Sequence, residues 1–161
     1  MQHISDFAFT SLCHQSNNKL IKMNTKTKIT VSAPVAAPIQ KVWDAWNNPE
    51  DIKQWNTADP SWHCPASEND LREGGSFKHR MEARDGSFGF DFGGVYDKVV
   101  LHKEITYTMS DGRMVTTLFE EAGNTVTITS TFDAETENPV ELQQQGWQAI
   151  LNNFVQYVIN K

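Results

Sequence analysis

The sequence predicts an α+β domain with its helices gathered on one face of an antiparallel sheet. Three observations predict it. Segments rich in β-branched and aromatic residues follow one another over residues 76–132, punctuated by the turn formers Asp85-Gly86, Asp111-Gly112 and Gly123-Asn124. Two short helical patterns lie between a first strand and that run. A closing segment of about twenty residues repeats its apolar side chains at helical spacing. At 161 residues the chain fits one domain, long enough to bury a core without covalent staples.

The elements follow in order. Residues 1–24 show no periodic pattern and read as a flexible N-terminal extension, with Met23 a candidate natural start; the other reading is a docking arm using Phe7 and Phe9. They lack the basic start and apolar run of a secretory leader. The folded domain is expected over residues 25–161. "KITVSAPV" (28–35) alternates as a strand does and is ended by Pro34 and Pro38. In "PIQKVWDAWNN", Ile39, Val42, Trp43 and Trp46 recur at helical spacing, and Pro38 suits a first turn. "NPEDIKQW" begins a second helix, with Asn48 as N-cap, Pro49 as first residue, and Glu50 and Asp51 against the positive end of the dipole. "NTADPSWHCPASENDLREGG" (56–75) has no period and many turn formers, so it reads as a loop.

A two-residue turn at Asp85-Gly86 then sets a hairpin register. Ala83 falls opposite Phe88, Met81 opposite Phe90 and His79 opposite Phe92, all on one apolar face with Phe77. Arg80 falls opposite Asp91 on the other face, an exposed ion pair. The Gly93-Gly94 pair is expected to bend or bulge its strand. Strands at 95–100, 104–109, 113–121 and 124–132 follow. Two-residue loops at both Asp111-Gly112 and Gly123-Asn124 give strand 114–120 conflicting faces, so one loop must hold three residues. The favoured solution turns Val115, Thr117 and Phe119 inward with Val126 and Ile128. In "PVELQQQGWQAILNNFVQYVINK", Trp147, Ile150, Leu151, Phe154 and Val158 form the apolar stripe of a helix roughly 30 Å long. Gly146 inside it costs about 1 kcal/mol against alanine, which suggests close packing or a bend.

Composition excludes several classes. A net charge of −6 and a pI near 5.3 leave no basic face for nucleic acid, and no run of about 18 apolar residues spans a membrane. Cys13 and Cys64 lie far apart, which fits a reducing cytosol, so a cytoplasmic location is expected. His63 and Cys64 are adjacent with no second pair of ligands, a pattern of loop packing more than of a metal site. Gly74-Gly75 lacks the lysine and helix of a phosphate loop and reads as a strand-entry bend. No cofactor, metal or catalytic residue is assigned.

"APVAAPIQKVWDAWNNPEDIKQW", "DLREGGSF", "RMEARDGSFGFDFGGVYDKV" and "GWQAILNNFVQYV" together resemble the START-like SRPBCC superfamily. The branch they are most similar to is the one named for the activator of the heat-shock-protein-90 ATPase, over residues 28–161. The resemblance implies a helix-grip fold: a curved antiparallel sheet around a long C-terminal helix, with a cavity between them for a small apolar molecule. It also implies alternatives, because relatives include cyclase-like enzymes and a chaperone-binding module.

The resulting expectation is a carrier or sensor that binds a small hydrophobic ligand. Its site residues are His79, Met81, Phe88, Phe90, Phe92, Tyr96, Tyr107, Trp147 and Leu151, with Trp55 and Trp62 roofing the mouth. Burial of ligand surface would supply affinity, and His79 with the tyrosine hydroxyls would fix orientation. Against this, a lone histidine on an apolar face is more often a satisfied core residue, and buried tyrosines usually bond within the protein. The alternative enzyme of cyclase, dehydratase or hydrolase type would rest on His79, the one titratable group on the apolar face. A chaperone or a second copy of the chain are the alternative partners. On this register Phe90→Asp is expected to unfold the domain or eject its ligand.

Overall fold

The computed structural model describes residues 26–161. The extension expected over residues 1–24, with Phe7, Phe9 and Cys13, lies outside the described residues.

Strand β1 (Lys28–Val35) alternates exposed and buried residues along its length, turning Ile29, Val31, Ala33 and Val35 inward. Helices α1 (Ile39–Asn47) and α2 (Pro49–Trp55) follow. Asn48 separates them as expected: its side chain accepts from the Glu50 N–H at 3.0 Å, and Pro49 opens the second helix where an N–H has no helical partner. Strand β2 (Trp62–Asn69) corrects the loop expected over residues 56–75. It escapes a periodic reading because it is an edge strand whose pairing with the next strand slips between His63 and Ala66, around Pro65. Proline is tolerated in just such a position.

Strands β3 (Ser76–Ala83), β4 (Gly89–Val100), β5 (Glu104–Met109), β6 (Met114–Ala122) and β7 (Thr125–Asp133) run antiparallel, and helix α3 (Val140–Asn160) closes the domain. The seven strands make one sheet in the order β1-β7-β6-β5-β4-β3-β2, curled as a half-barrel. The β3–β4 register is the one expected, with His79 opposite Phe92, Arg80 opposite Asp91 and Met81 opposite Phe90. The loop, however, has four residues, Arg84–Ser87, not two, because the Arg84 N–H donates to the Ser61 carbonyl and the Ala83 N–H to that of Phe88. The conflict at β6 resolves through a three-residue loop, Ser110–Gly112, with Gly112 at φ +86° and the Met109 N–H donating to the Arg113 carbonyl at 2.8 Å. The β6–β7 turn has two residues, and Val115, Thr117 and Phe119 face inward with Val126 and Ile128.

Two glycines act differently from expectation. The bulge in β4 falls between Tyr96 and Lys98, not at Gly93-Gly94. Gly94 makes room instead: a Cβ there would stand 2.5 Å from the Thr108 carbonyl oxygen and 3.2 Å from the Phe77 ring. A Cβ at Gly146 would meet nothing within 4 Å, so close packing does not account for that residue, and α3 continues through it.

Helix α3 is fastened along its length. Phe154 and Val158 are fully buried, and Trp147 stacks on Phe132 with centroids 3.9 Å apart. Gln148 donates to the Ser32 carbonyl at 3.1 Å while its own carbonyl accepts from the Ser32 N–H at 3.4 Å. Beyond the helix end, the Lys161 ammonium reaches the buried Asp51 carboxylate of α2 at 2.7 and 2.8 Å, and the Tyr157 hydroxyl donates to the same group.

Candidate functional site

Residues of β1, β2, β3, β4, β5 and β7 meet helices α1, α2 and α3 around a cavity of about 100 Å³. Its wall is largely aromatic. Trp46 and Trp55 stack with centroids 5.1 Å apart, and Phe77, Phe92, Tyr96, Tyr107 and Trp147 continue the lining. Val31, Ile52, Ile105, Ile150 and Leu151 complete its apolar part, and no Asp, Glu, Lys or Arg lines it among the described residues.

The polar groups are few. His79 is 9 % exposed and packs between Phe77, at 5.2 Å, and Phe92, at 6.5 Å. Its Nδ1 shares a hydrogen bond of 2.9 Å with the Ser67 hydroxyl. Burial lowers its pKa from 6.5 to about 4, so the imidazole is neutral at pH 7. The Tyr96 hydroxyl donates to Asn69 Oδ1 at 2.6 Å, and Asn69 Nδ2 donates to the Asn47 carbonyl at 2.7 Å. Burial raises the phenol pKa of both Tyr96 and Tyr107 above the ordinary value, so both are protonated. The Tyr107 hydroxyl differs from that of Tyr96 in having no hydrogen-bond partner among the described residues.

The expected site residues thus divide. His79, Phe92, Tyr96, Tyr107, Trp147 and Leu151 line the cavity together. Met81, Phe88 and Phe90 do not. Met81 is buried beside the Asn56 amide, 3.7 Å from its sulfur. Phe88 and Phe90 are 62 % and 43 % exposed and cluster with Trp62, at centroid distances of 6.0 and 6.1 Å. The physical reason is length. Strand β5 ends at Met109 opposite Gly94, so the β3–β4 hairpin outruns it, and Phe92 is the last ring of that strand to meet α3, through Trp147 at 6.1 Å. Facing the same side of a strand does not guarantee the same roof. Trp62 shares that outer cluster, whereas Trp55 lines the cavity.

Other lining residues escaped sequence reasoning. Trp46 belongs to the apolar stripe of α1, which reads equally as core. Asn69 lies in the unexpected strand β2. At the neighbouring His63-Cys64 pair, the thiol is buried and pushed up in pKa by that burial, while the imidazole stands 3.7 Å from Glu82 on the surface.

Comparison with known families matches the description "activator of Hsp90 ATPase homolog 1-like protein" to residues 36–158, which takes in every cavity-lining residue except Val31. The chain belongs to the activator of Hsp90 ATPase homolog 1-like family. Solved structures agree in fold. A solution structure of an activator-like protein from Aeromonas hydrophila is 42 % identical, covering 83 % of this chain and 93 % of its own, with a TM-score of 0.78. The protein Chr148 from Cytophaga hutchinsonii is 53 % identical over 83 % of this chain and 92 % of its own, with a TM-score of 0.73. The protein NE0264 from Nitrosomonas europaea keeps the fold at 18 % identity, with a TM-score of 0.72 over 86 % and 97 % of the two chains. No curated protein matches this chain. Among the described residues no helix of this family member is long and apolar enough to cross a membrane.

Proposed function

We propose that this activator-like protein binds a small apolar molecule in the cavity between the curled sheet and α3. The carrying observation is the convergence of Trp46, Trp55, Phe77, Phe92, Tyr107 and Trp147 on one partly open space of about 100 Å³. Apolar cavities of roughly 150 Å³ take up a benzene ring, so the space is of the order that a one-ring compound needs once side chains adjust. Binding would draw on apolar surface removed from water, at about 25 cal/mol per Å², with few polar groups to fix orientation.

Native mass spectrometry of gently purified protein, compared with its denatured mass, tests this. A reproducible extra mass that is lost in a folded Ile150→Trp variant supports the reading, because that change adds bulk to the cavity wall. An adduct that survives cavity filling places binding elsewhere and overturns it.

A second reading rests on a separate feature. The cluster of exposed Phe88 and Phe90 with half-buried Trp62 favours a protein-contacting role of the kind the family's description names. Stimulation of a chaperone ATPase by the intact chain, lost in Phe88→Ser/Phe90→Ser, would support it.

A further inference from the structure

Among the polar side chains that line the cavity, His79 and Tyr107 on the sheet wall keep a free outer end, as do the Oδ1 atoms of Asn47 and Asn56 on the helix side. Ser67 occupies His79 Nδ1, and Nε2 has no partner among the described residues; nor has the Tyr107 hydroxyl. Both rings pack against Phe77, at 5.2 and 4.7 Å, and both neighbour Phe92. Only His102 Nε2 is a sealed, partnerless side-chain atom among the described residues. The free ends of His79 and Tyr107 therefore open onto reachable space, not packed protein. A donor or acceptor that a bound molecule seals from water without pairing it is costly, so a pair of such groups in an apolar pocket orients its ligand.

We infer that the cavity selects an uncharged, single-ring molecule bearing one hydroxyl or carbonyl oxygen, which bonds to His79 Nε2 and the Tyr107 hydroxyl while its ring lies among Phe77, Phe92 and Trp147. The inference rests on the binding reading above and adds three limits to it. Size limits the ligand to about one ring, because the space is about 100 Å³. Charge is excluded because no ionised side chain lines the wall, and an unpaired ion there would lose its hydration without compensation. One oxygen is specified because both free groups are neutral and can meet it: a hydroxyl both donates and accepts, and the imidazole presents N–H or lone pair according to the tautomer Ser67 selects. The Tyr96 hydroxyl has spent its proton on Asn69 Oδ1 and has only acceptor capacity left.

The test titrates phenol, toluene and benzoate at pH 7 into the full chain while following the indole N–H resonances. Those of Trp46, Trp55 and Trp147 report the cavity, and that of Trp62 reports the outer cluster. Phenol is expected to move the cavity signals and leave Trp62 in place, with toluene weaker and benzoate inert. Tyr107→Phe removes one hydroxyl that has no protein partner, so the fold should be unaffected. It is expected to weaken phenol about three- to tenfold, the value of one neutral hydrogen bond, and to leave toluene unchanged. Equal binding of phenol and toluene, with neither sensitive to Tyr107→Phe, overturns the polar selection while leaving apolar binding intact. Benzoate matching phenol overturns the exclusion of charge. Silence of the cavity signals toward all three probes overturns this inference together with the reading beneath it.

Discussion

His79 packs between two phenylalanines, and its stability contribution has a definite sign. Its pKa is lowered from 6.5 to about 4 because burial disfavours the imidazolium. Below pH 6.5 the unfolded chain takes up a proton that the folded chain refuses until about pH 4, so stability falls with pH across that window. The expected loss attributable to this side chain is on the order of 2–3 kcal/mol. Denaturant unfolding at a series of pH values checks it: His79→Gln should flatten the slope between pH 6.5 and 4 relative to the unaltered protein. Identical slopes would mean that the imidazole is hydrated in the folded state. Asp133 does not confound the comparison. Burial pushes its carboxyl up, but Lys28 and the Met114 N–H outweigh that and hold it below the usual carboxylate range. Its contribution is present above that range, is lost only as pH falls through it, and is common to both proteins.

The β3–β4 hairpin shows what an element's pattern does and does not reveal. Centring the hairpin on Asp85-Gly86 gives the pairing residue by residue, and the register holds although the loop that forms has four residues, Arg84–Ser87, because both loops share that centre. It cannot say how far neighbouring elements extend, and the exposure of Phe88 and Phe90 depends on where β5 and α3 stop. Phe90→Asp is therefore expected to cost about 1 kcal/mol, the middle of the range for single substitutions, because the ring is only partly exposed. Phe154→Ala, in the fully buried stripe of α3, should cost about 3–5 kcal/mol. Thermal or urea unfolding of both variants decides, and a Phe90→Asp loss as large as that of Phe154→Ala would return the hairpin tip to the core. Element order, the paired helices at Asn48 and the stripe of α3 were all legible because periodicity and caps are local properties. Strand β2 was not, since Pro65 and a register slip erase its alternation. Trp46 and Asn69 were illegible as lining for another reason: core and cavity wall are written with the same residue types.

At the scale of the molecule, the order β1-β7-β6-β5-β4-β3-β2 leaves the sheet open, with β1 and β2 as its two margins. An unpaired margin is a template onto which another chain can add. On β2, Pro65 and the slip beside it spoil the template. On β1 the device is Gln148, whose amide both gives to and takes from the Ser32 peptide group. A carboxamide is chemically a peptide unit on a side chain, so α3 supplies β1 with a counterfeit eighth strand one residue long. Gln144 adds a weaker contact to the Thr30 carbonyl at 3.5 Å. Replacing both glutamines with alanine should leave the fold standing but let chains join margin to margin, visible as concentration-dependent sedimentation absent from the unaltered protein. Unchanged sedimentation would show that the bulk of α3, not its amides, guards that side. The helix that closes the cavity would then also be what keeps one molecule's sheet from becoming part of the next.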